Sequence, residues 1–404
     1  MRKDEIAMEK KYSPLELTRF IVGRGSLDFL GQLSAKRAAV IHGGANVMST
    51  ITKNRIQNLI EKNGGKCQFI SEIINEPYFS DIKTVGDEMK EFQPDLIIAL
   101  GGGSVIDTAK AIHLFYEYPN MSLEDSLKPY QLPTLGDKAK MVAIPTTSGT
   151  GSETTSAAVF TDDESKQKHL MLGNGLIPAY SIIDADFTDS LPSVIAAHTG
   201  MDALTHAMEA AVSMTASPMV VSIAIGAALD LLENLKHSVN ENITTEGKRK
   251  VREICHIAAS MSGVAITNSC AGLAHGFDQP GPYFGIPHGQ ICGLLLPYTT
   301  AFTGVHPSYI TIAKRIGIVG NNDGELCQSL VDYIVEFNRS IGIPESFSAL
   351  GIDEKEFMDR IDIFSELAVS AIATKLSPRI PNINEAKELF IDAFYGKKPL
   401  IYEE

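Results

Sequence analysis

The chain has 404 residues, 44% of them hydrophobic and 21% charged, and its 35 Lys+Arg against 49 Asp+Glu give a formal net charge of −14. A single core rarely grows beyond about 250–300 residues, so a chain of this length is expected to divide into two domains. The acidic balance, with no Lys/Arg run to offset it, excludes a nucleic-acid groove or an anionic membrane as the main partner, because either would repel it.

The N-terminus, Met1-Arg2-Lys3-Asp4-Glu5, is charged and leads into no apolar stretch of signal-peptide type, so export is not expected. Cys67, Cys255, Cys270, Cys292 and Cys327 are odd in number and contain no Cys-x-x-Cys pair. They read as reduced thiols of a cytoplasmic protein.

Residues 20–185 alternate short β-rich runs with helix-like stretches, the pattern of an α/β domain on a largely parallel sheet. Three runs end in small-residue turns. Ala38-Ala39-Val40-Ile41 runs into His42-Gly43-Gly44; Asp95 to Leu100 runs into Gly101-Gly102-Gly103-Ser104; Met141 to Ile144 runs into Pro145-Thr146-Thr147-Ser148-Gly149-Thr150-Gly151-Ser152-Glu153. Ligands of parallel sheets gather at the carboxyl ends of strands, so the three turns nominate one crevice. After Gly103 the sequence opens a helix over 105–113, with Asp107 and Lys110 in its first turns. Glycines let the backbone approach a bulky anion, and the free N–H groups of a helix start suit a pyrophosphate. A tight turn that binds nothing has the same glycines. The Thr-rich turn offers hydroxyls and amides to sugar or phosphate oxygens, and equally an ST-turn or helix cap.

From residue 186 onward Ala, Leu, Ile and Met recur at helical spacing, and a helical second domain is expected over 186–404, after the last strand-like run, Ser181-Ile182-Ile183. Asp202 and His206 are four apart on one helix face, which brings a carboxylate and an imidazole within reach of one divalent ion and also suits a plain hydrogen bond. His275, in Gly272-Leu273-Ala274-His275-Gly276, and His288, in Ile286-Pro287-His288-Gly289, lie in a Gly/Pro-bracketed stretch. One carboxylate with three imidazoles suits Fe²⁺ or Zn²⁺ better than Mg²⁺ or Ca²⁺. His113, His169, His198, His237, His256 and His306 are read as ordinary polar residues. The 219–232 run falls short of the roughly 20 residues needed to cross a bilayer and is read as a buried helix, and 355–404 as scaffold.

Taken in order, Gly101-Gly102-Gly103-Ser104-x-x-Asp107-x-x-Lys110, Pro145-Thr146-Thr147-x-Gly149-Thr150-Gly151-Ser152-Glu153, Gly200-Met201-Asp202-Ala203-Leu204-x-His206-x-x-Glu209, Gly272-Leu273-x-His275 and Pro287-His288-Gly289 resemble the iron-containing (group III) alcohol dehydrogenases from about Thr18 to Pro297. The resemblance implies a dehydroquinate-synthase-like fold, with an N-terminal Rossmann-like parallel-sheet domain (1–185), a C-terminal helical domain (186–404) and catalysis in the cleft between them. By position it implies Asp202, His206, His275 and His288 as metal ligands, Gly102, Gly103 and Ser104 as the pyrophosphate turn, Thr146, Thr147 and Thr155 as a cofactor-contacting segment, and Lys168 as a lysine near the cofactor. The implied reaction moves a hydride between nicotinamide C4 and a small primary alcohol or aldehyde, with the ion as Lewis acid on the substrate oxygen. A homodimer or higher homo-oligomer is what the family implies.

Three departures matter. Where many members have an acidic residue after the first nucleotide-binding strand, this chain has Gly43 and Gly44, so NADP(H) is favoured over NAD(H). Where many carry a second histidine four residues after the one matched by His275, this chain has Gln279, which cannot titrate near neutrality; a proton relay there would need water, the cofactor ribose or Asp278. The family's Asn-Pro reads Glu76-Pro77, which weakens any cofactor contact at that point. The alternatives are a maleylacetate-reductase- or glycerol-dehydrogenase-like oxidoreductase, against which the Asp/His/His/His set and the Thr-rich turn argue, and a non-catalytic nucleotide- or metal-binding protein.

Overall fold

The computed structural model describes residues 14–45, 47–73, 79–161 and 168–402. Asn46, Glu76, Pro77 and the side chain of Lys168 lie outside the described residues. Eight strands follow in chain order: β1 Arg19–Val22, β2 Arg37–His42, β3 Lys66–Glu72, β4 Leu96–Gly101, β5 Lys140–Pro145, β6 Ala157–Thr161, β7 Lys168–Leu172 and β8 Tyr180–Ile183. Six of them form a sheet in the order β1-β8-β5-β4-β2-β3, every pair parallel, while β6 and β7 make an antiparallel ribbon.

The runs read as buried strands are buried on both faces. In β2, Ala39 and Ile41 enter one core while Ala38 and Val40 enter the other; β4 divides as Ile97 and Ala99 against Ile98 and Leu100, and β5 as Met141 and Ala143 against Val142 and Ile144. That is a period of two with no polar face, as required of a parallel sheet covered by helices on each side. The covering helices are α1 Thr50–Glu61, α2 Phe79–Phe92, α3 Gly103–Glu117 and the single turn α4 Leu123–Ser126. The expected helix at 105–113 therefore begins earlier, at Gly103, and runs further.

After β8 the described chain is helical: α5 Ser193–Ala210, α6 Pro218–Ser238, α7 Thr245–Thr267, α8 Leu273–Gly276, α9 Pro280–Phe284, α10 His288–Thr303, α11 Pro307–Arg315, α12 Asp323–Ser340, α13 Glu354–Met358, α14 Ile361–Ser370, α15 Ile372–Lys375 and α16 Ile383–Tyr395. The residues of 355–404 supply Phe357, Phe364, Phe390 and Phe394 to its core. The 219–232 run needs correction. Ser217 caps a helix that continues to Ser238, and its 21 residues are long and apolar enough to cross a membrane by length and composition. One face, Val220, Ala224, Ala227, Leu231 and Leu235, is buried, and only 39% of its most apolar window is enclosed. It is a half-buried packing helix laid along α7.

The chain between sheet and helices is pinned by two arginines. Arg24 bonds Asp186 at 2.8 Å and Asp189 at 3.0 Å and reaches Glu253 of α7 at 3.2 Å. The buried Arg252 donates to the backbone carbonyls of Thr188, Asp189 and Leu191, closing a segment that would otherwise leave polar backbone without partners.

Candidate active site

Strand order decides where the three small-residue turns go. β2, β4 and β5 are neighbours, with His42 opposite Leu100 and Gly101 opposite Pro145, so the turns leave one edge of the sheet side by side. Gly102 is the N-cap of α3 and has no side chain to satisfy the helix's first N–H groups, which leaves the amides at Gly103 and Ser104 for an anion. A Cβ on Gly103 would fall 2.7 Å from Thr150 Cγ2, and one on Gly102 would stand 3.4 Å from Thr147 Oγ1. The phosphate-type turn and the Thr-rich turn thus touch, and the glycines are what allow it.

Beneath those turns lies a buried charged cluster. Lys110, wholly buried on α3, donates to Thr155 O (2.8 Å), Thr155 Oγ1 (3.0 Å) and Ala157 O (2.7 Å). Burial lowers its pKa to about 8, and Asp107 and Glu153 work against that loss. Asp107 accepts from Val159 N at 3.0 Å, and Glu153 accepts from Ser260 Oγ of α7 at 2.6 Å. The hydroxyl of Thr155 therefore faces Lys110, and Asp107 is fastened to β6. Both support the turns from behind. Thr146 is buried with its N–H on Gly101 O, and Thr147 stands at the Gly102 side of the cleft.

At the turn after β2, a Cβ on Gly43 would meet Val47 at 3.4 Å and Val105 at 3.7 Å, and one on Gly44 would stand 3.4 Å from Glu72 Oε1. A carboxylate does border this turn. It comes from the end of the neighbouring strand β3, where sequence reading along β2 does not find it.

The second half of the cleft is built on α5. Asp202, His206 and Glu209 are spaced four and then three residues apart and are all buried, forming one stripe of a helix enclosed on every side. α8 brings His275 and the first turn of α10 brings His288. Gly289 makes this approach possible, since a Cβ there would collide with the His198 carbonyl and lie 3.1 Å from Asp202 Cβ. The result is convergent: Oδ1 of Asp202 is 3.6 Å from His206 Nε2, 3.4 Å from His275 Nε2 and 3.6 Å from His288 Nε2, and the rings of His206 and His275 stack at 4.4 Å.

The Nδ1 atoms of His275 and His288 are held from outside. Glu209 takes the Nδ1–H of His275 at 2.5 Å and also accepts from the backbone N–H groups of Gly272 (2.8 Å) and Ala274 (2.5 Å). Asp278 pairs with His288 Nδ1 at 2.8 Å. Each carboxylate fixes a tautomer, so the opposite nitrogen turns towards Asp202 as an acceptor. Burial pushes His206 down to about 4, which keeps it neutral.

Asp202 Oδ1, His206 Nδ1 and His275 Nε2 are buried without hydrogen-bond partners among the described residues. Two of these, Asp202 Oδ1 and His275 Nε2, face each other at 3.4 Å; orphaned acceptors so placed are costly unless a cation satisfies them, and an O/N donor set of this kind fits a borderline divalent metal. Gln279 donates to Gly276 O at 3.1 Å, within its own turn. Of the histidines read as ordinary, His113 bonds Glu117 and Ala139 O, and His256 bonds Ser148. Glu209, Glu72 and Cys292 are missed by the sequence reading. Glu209 was signalled by its place seven residues after Asp202 on the same face, and Cys292 by the same four-residue spacing, after His288, that nominated Asp202 and His206.

Residues 18–185 match the family model described as iron-containing alcohol dehydrogenase, and residues 196–394 match that of the C-terminal part of the Fe-containing alcohol dehydrogenase family. An NADPH-dependent butanol dehydrogenase of Clostridium saccharobutylicum is 35% identical over 377 residues, 93% of this chain and 96% of that protein. An alcohol dehydrogenase of Thermococcus barophilus is 32% identical over 94% of this chain and 98% of its own length. The crystal structure of the iron-containing alcohol dehydrogenase of Thermococcus thioreducens superposes with a TM-score of 0.85 at 29% identity, covering 96% of this chain and all of that one. The chain belongs to the iron-containing alcohol dehydrogenase family and is a metal-dependent, NAD(P)(H)-linked alcohol dehydrogenase or aldehyde reductase.

Proposed function

We propose that Asp202, His206, His275 and His288 hold a divalent ion, Fe²⁺ or Zn²⁺, and that the enzyme interconverts a small primary alcohol and its aldehyde with NADP(H) favoured. The observation that carries this is a single buried carboxylate oxygen with three imidazole nitrogens 3.4–3.6 Å away and no hydrogen-bond partner of its own. When bound, the ion supplies Lewis acidity to the substrate oxygen.

The chain's own residues do the rest. Glu209 and Asp278 orient His275 and His288. The amides of Gly103 and Ser104 bind the pyrophosphate, Thr146 and Thr147 flank it, and Gly43 and Gly44 border the adenosine ribose. Asp202 and His206 are buried while His288, with its side chain 41% exposed, faces the opening, so the reacting carbon is brought to the nicotinamide on the His288 side, where proximity matters most. Gln279 has an amide where a titrating relay would stand, so proton exchange there needs water, the cofactor ribose or Asp278, which is paired with His288. The preference for NADP(H) is supported by the absence of a carboxylate on the β2 turn and by the relative described as NADPH-dependent; Glu72 opposes it.

The division at residue 185 belongs to the same reading, supported by the change from strands to helices after β8. Cytoplasmic residence and a homodimer also belong to it. β1 supports the dimer as an edge strand with Phe20 36% and Val22 51% exposed, a row of unpaired backbone ready for a second copy. The test is anaerobic purification, loading with Fe²⁺ or Zn²⁺, and a panel of short aldehydes with NADPH and NADH separately. Metal-dependent loss of the reduced-nicotinamide absorbance is expected, and none with any metal and aldehyde would overturn the reading.

A further inference from the structure

Cys292 is buried on α10 one turn after His288, and its Sγ stands 3.8 Å from both ring nitrogens of that histidine. One donor atom each from Asp202, His275, His288 and Cys292 lies within 4.8 Å of the others. The function proposed above gives the sulfur no role.

Tetrahedral donors bound at about 2.0–2.1 Å (N, O) and about 2.3 Å (S) stand roughly 3.3–3.6 Å from one another. Three of the six edges are 3.4 Å from His275 to Asp202, 3.6 Å from His288 to Asp202 and 3.8 Å from Cys292 to His288 Nε2; Sγ is equally far from His288 Nδ1, so to share an ion with Nε2 the Cys292 side chain turns about χ1 towards Asp202. Two of the four atoms, Asp202 Oδ1 and His275 Nε2, are buried without partners. We propose that Cys292 is a further ligand of this centre. Asp202, His275 and His288 are then common to two donor sets, one completed by the imidazole of His206 and the other by the sulfur of Cys292.

The proposal rests on the metal reading of the site. On coordination the S–H bond breaks, its proton passes to solvent, and the sulfur electron pair forms the metal–sulfur bond; nothing is oxidised or reduced. Thiolate is a soft donor and favours Zn²⁺ or Co²⁺ over Fe²⁺. The sulfur set therefore favours Zn²⁺, while the His206 set, with nitrogen and oxygen donors alone, suits Fe²⁺. Metal selection is then written into Cys292.

The test uses Co²⁺ as probe, titrated into the full-length metal-free chain and into Cys292→Ser and Cys292→Ala. Tetrahedral Co²⁺ gives visible d–d bands with any such donors, whereas a near-ultraviolet sulfur-to-cobalt band requires thiolate. The wild type is expected to show both and the variants only the first. Zn²⁺ affinity, read by chelator competition, is expected to fall at least about tenfold in the variants, since even outer partners of metal ligands are worth that much. The d–d bands without the sulfur band in the wild type, or a sulfur band that survives in Cys292→Ser, would overturn the proposal and leave the metal reading standing. Absence of d–d bands in the wild type would overturn both.

Discussion

Glu209 touches no reacting atom, yet it determines which nitrogen of His275 points at Asp202. It also holds the backbone of Gly272 and Ala274, so α8 and the tautomer are set together. Glu209→Gln should reduce metal affinity by about 10- to 100-fold while leaving the helix pattern intact. Competition against a chelator measures this, and unchanged affinity would refute the orienting role. At the other end of the cleft, Gly43→Asp should penalise NADPH more than NADH, and Glu72→Gln should do the reverse by removing the carboxylate beside Gly44. The ratio of kcat/KM for the two cofactors reads both, and a ratio unmoved by either change would show that this turn does not meet the ribose. The four metal-donor candidates were legible in the sequence because local spacing and flanking glycines carry them. Glu72 was not: it reaches the turn through strand pairing, one helix and one strand later in the chain, and no local pattern records who pairs with whom.

At the scale of elements, α3 links the cofactor turns to the β6–β7 ribbon. Its glycines approach Thr147 and Thr150, and two turns further on Lys110 grips Thr155 and Ala157. Lys110→Met would leave two carbonyls and the buried charges of Asp107 and Glu153 without their cation. Removing one partner from such a cluster costs about 3–5 kcal/mol. A lowered thermal midpoint is expected, together with a raised KM for the nicotinamide cofactor. An unchanged midpoint would mean that the cluster is not under the tension its burial implies. The strands were readable because burial on both faces gives continuous apolar runs, and α3 because a helix follows the glycines. Its start at Gly103 was not, since glycine has low intrinsic helix propensity and only the N-cap at Gly102 sets the boundary. The half-buried state of α6 was equally hidden: composition alone makes every face of that helix apolar, and only packing against α7 distinguishes one.

For the whole molecule, α7 is the spine that joins the two halves. Gly151, at φ +65°, lies so close to Gly263 that a Cβ on it would stand 2.5 Å from the Gly263 Cα, and His256 and Ser260 bond Ser148 and Glu153 of the Thr-rich turn. The Thr-rich turn is thus seated on the same bundle that carries Asp202 and the histidines. The cleft is set by packing, which the net charge of −14 says nothing about: in the proposed function, local amides and hydroxyls would meet an anionic dinucleotide within an acidic protein. The central claim is that the buried carboxylate and its three imidazoles form one metal centre on which turnover depends. Metal content and aldehyde-dependent NADPH oxidation measured together in wild type and His275→Ala test it most directly. The account predicts a bound ion and turnover in the wild type and loss of both in the variant; a variant that oxidises NADPH without metal would contradict it.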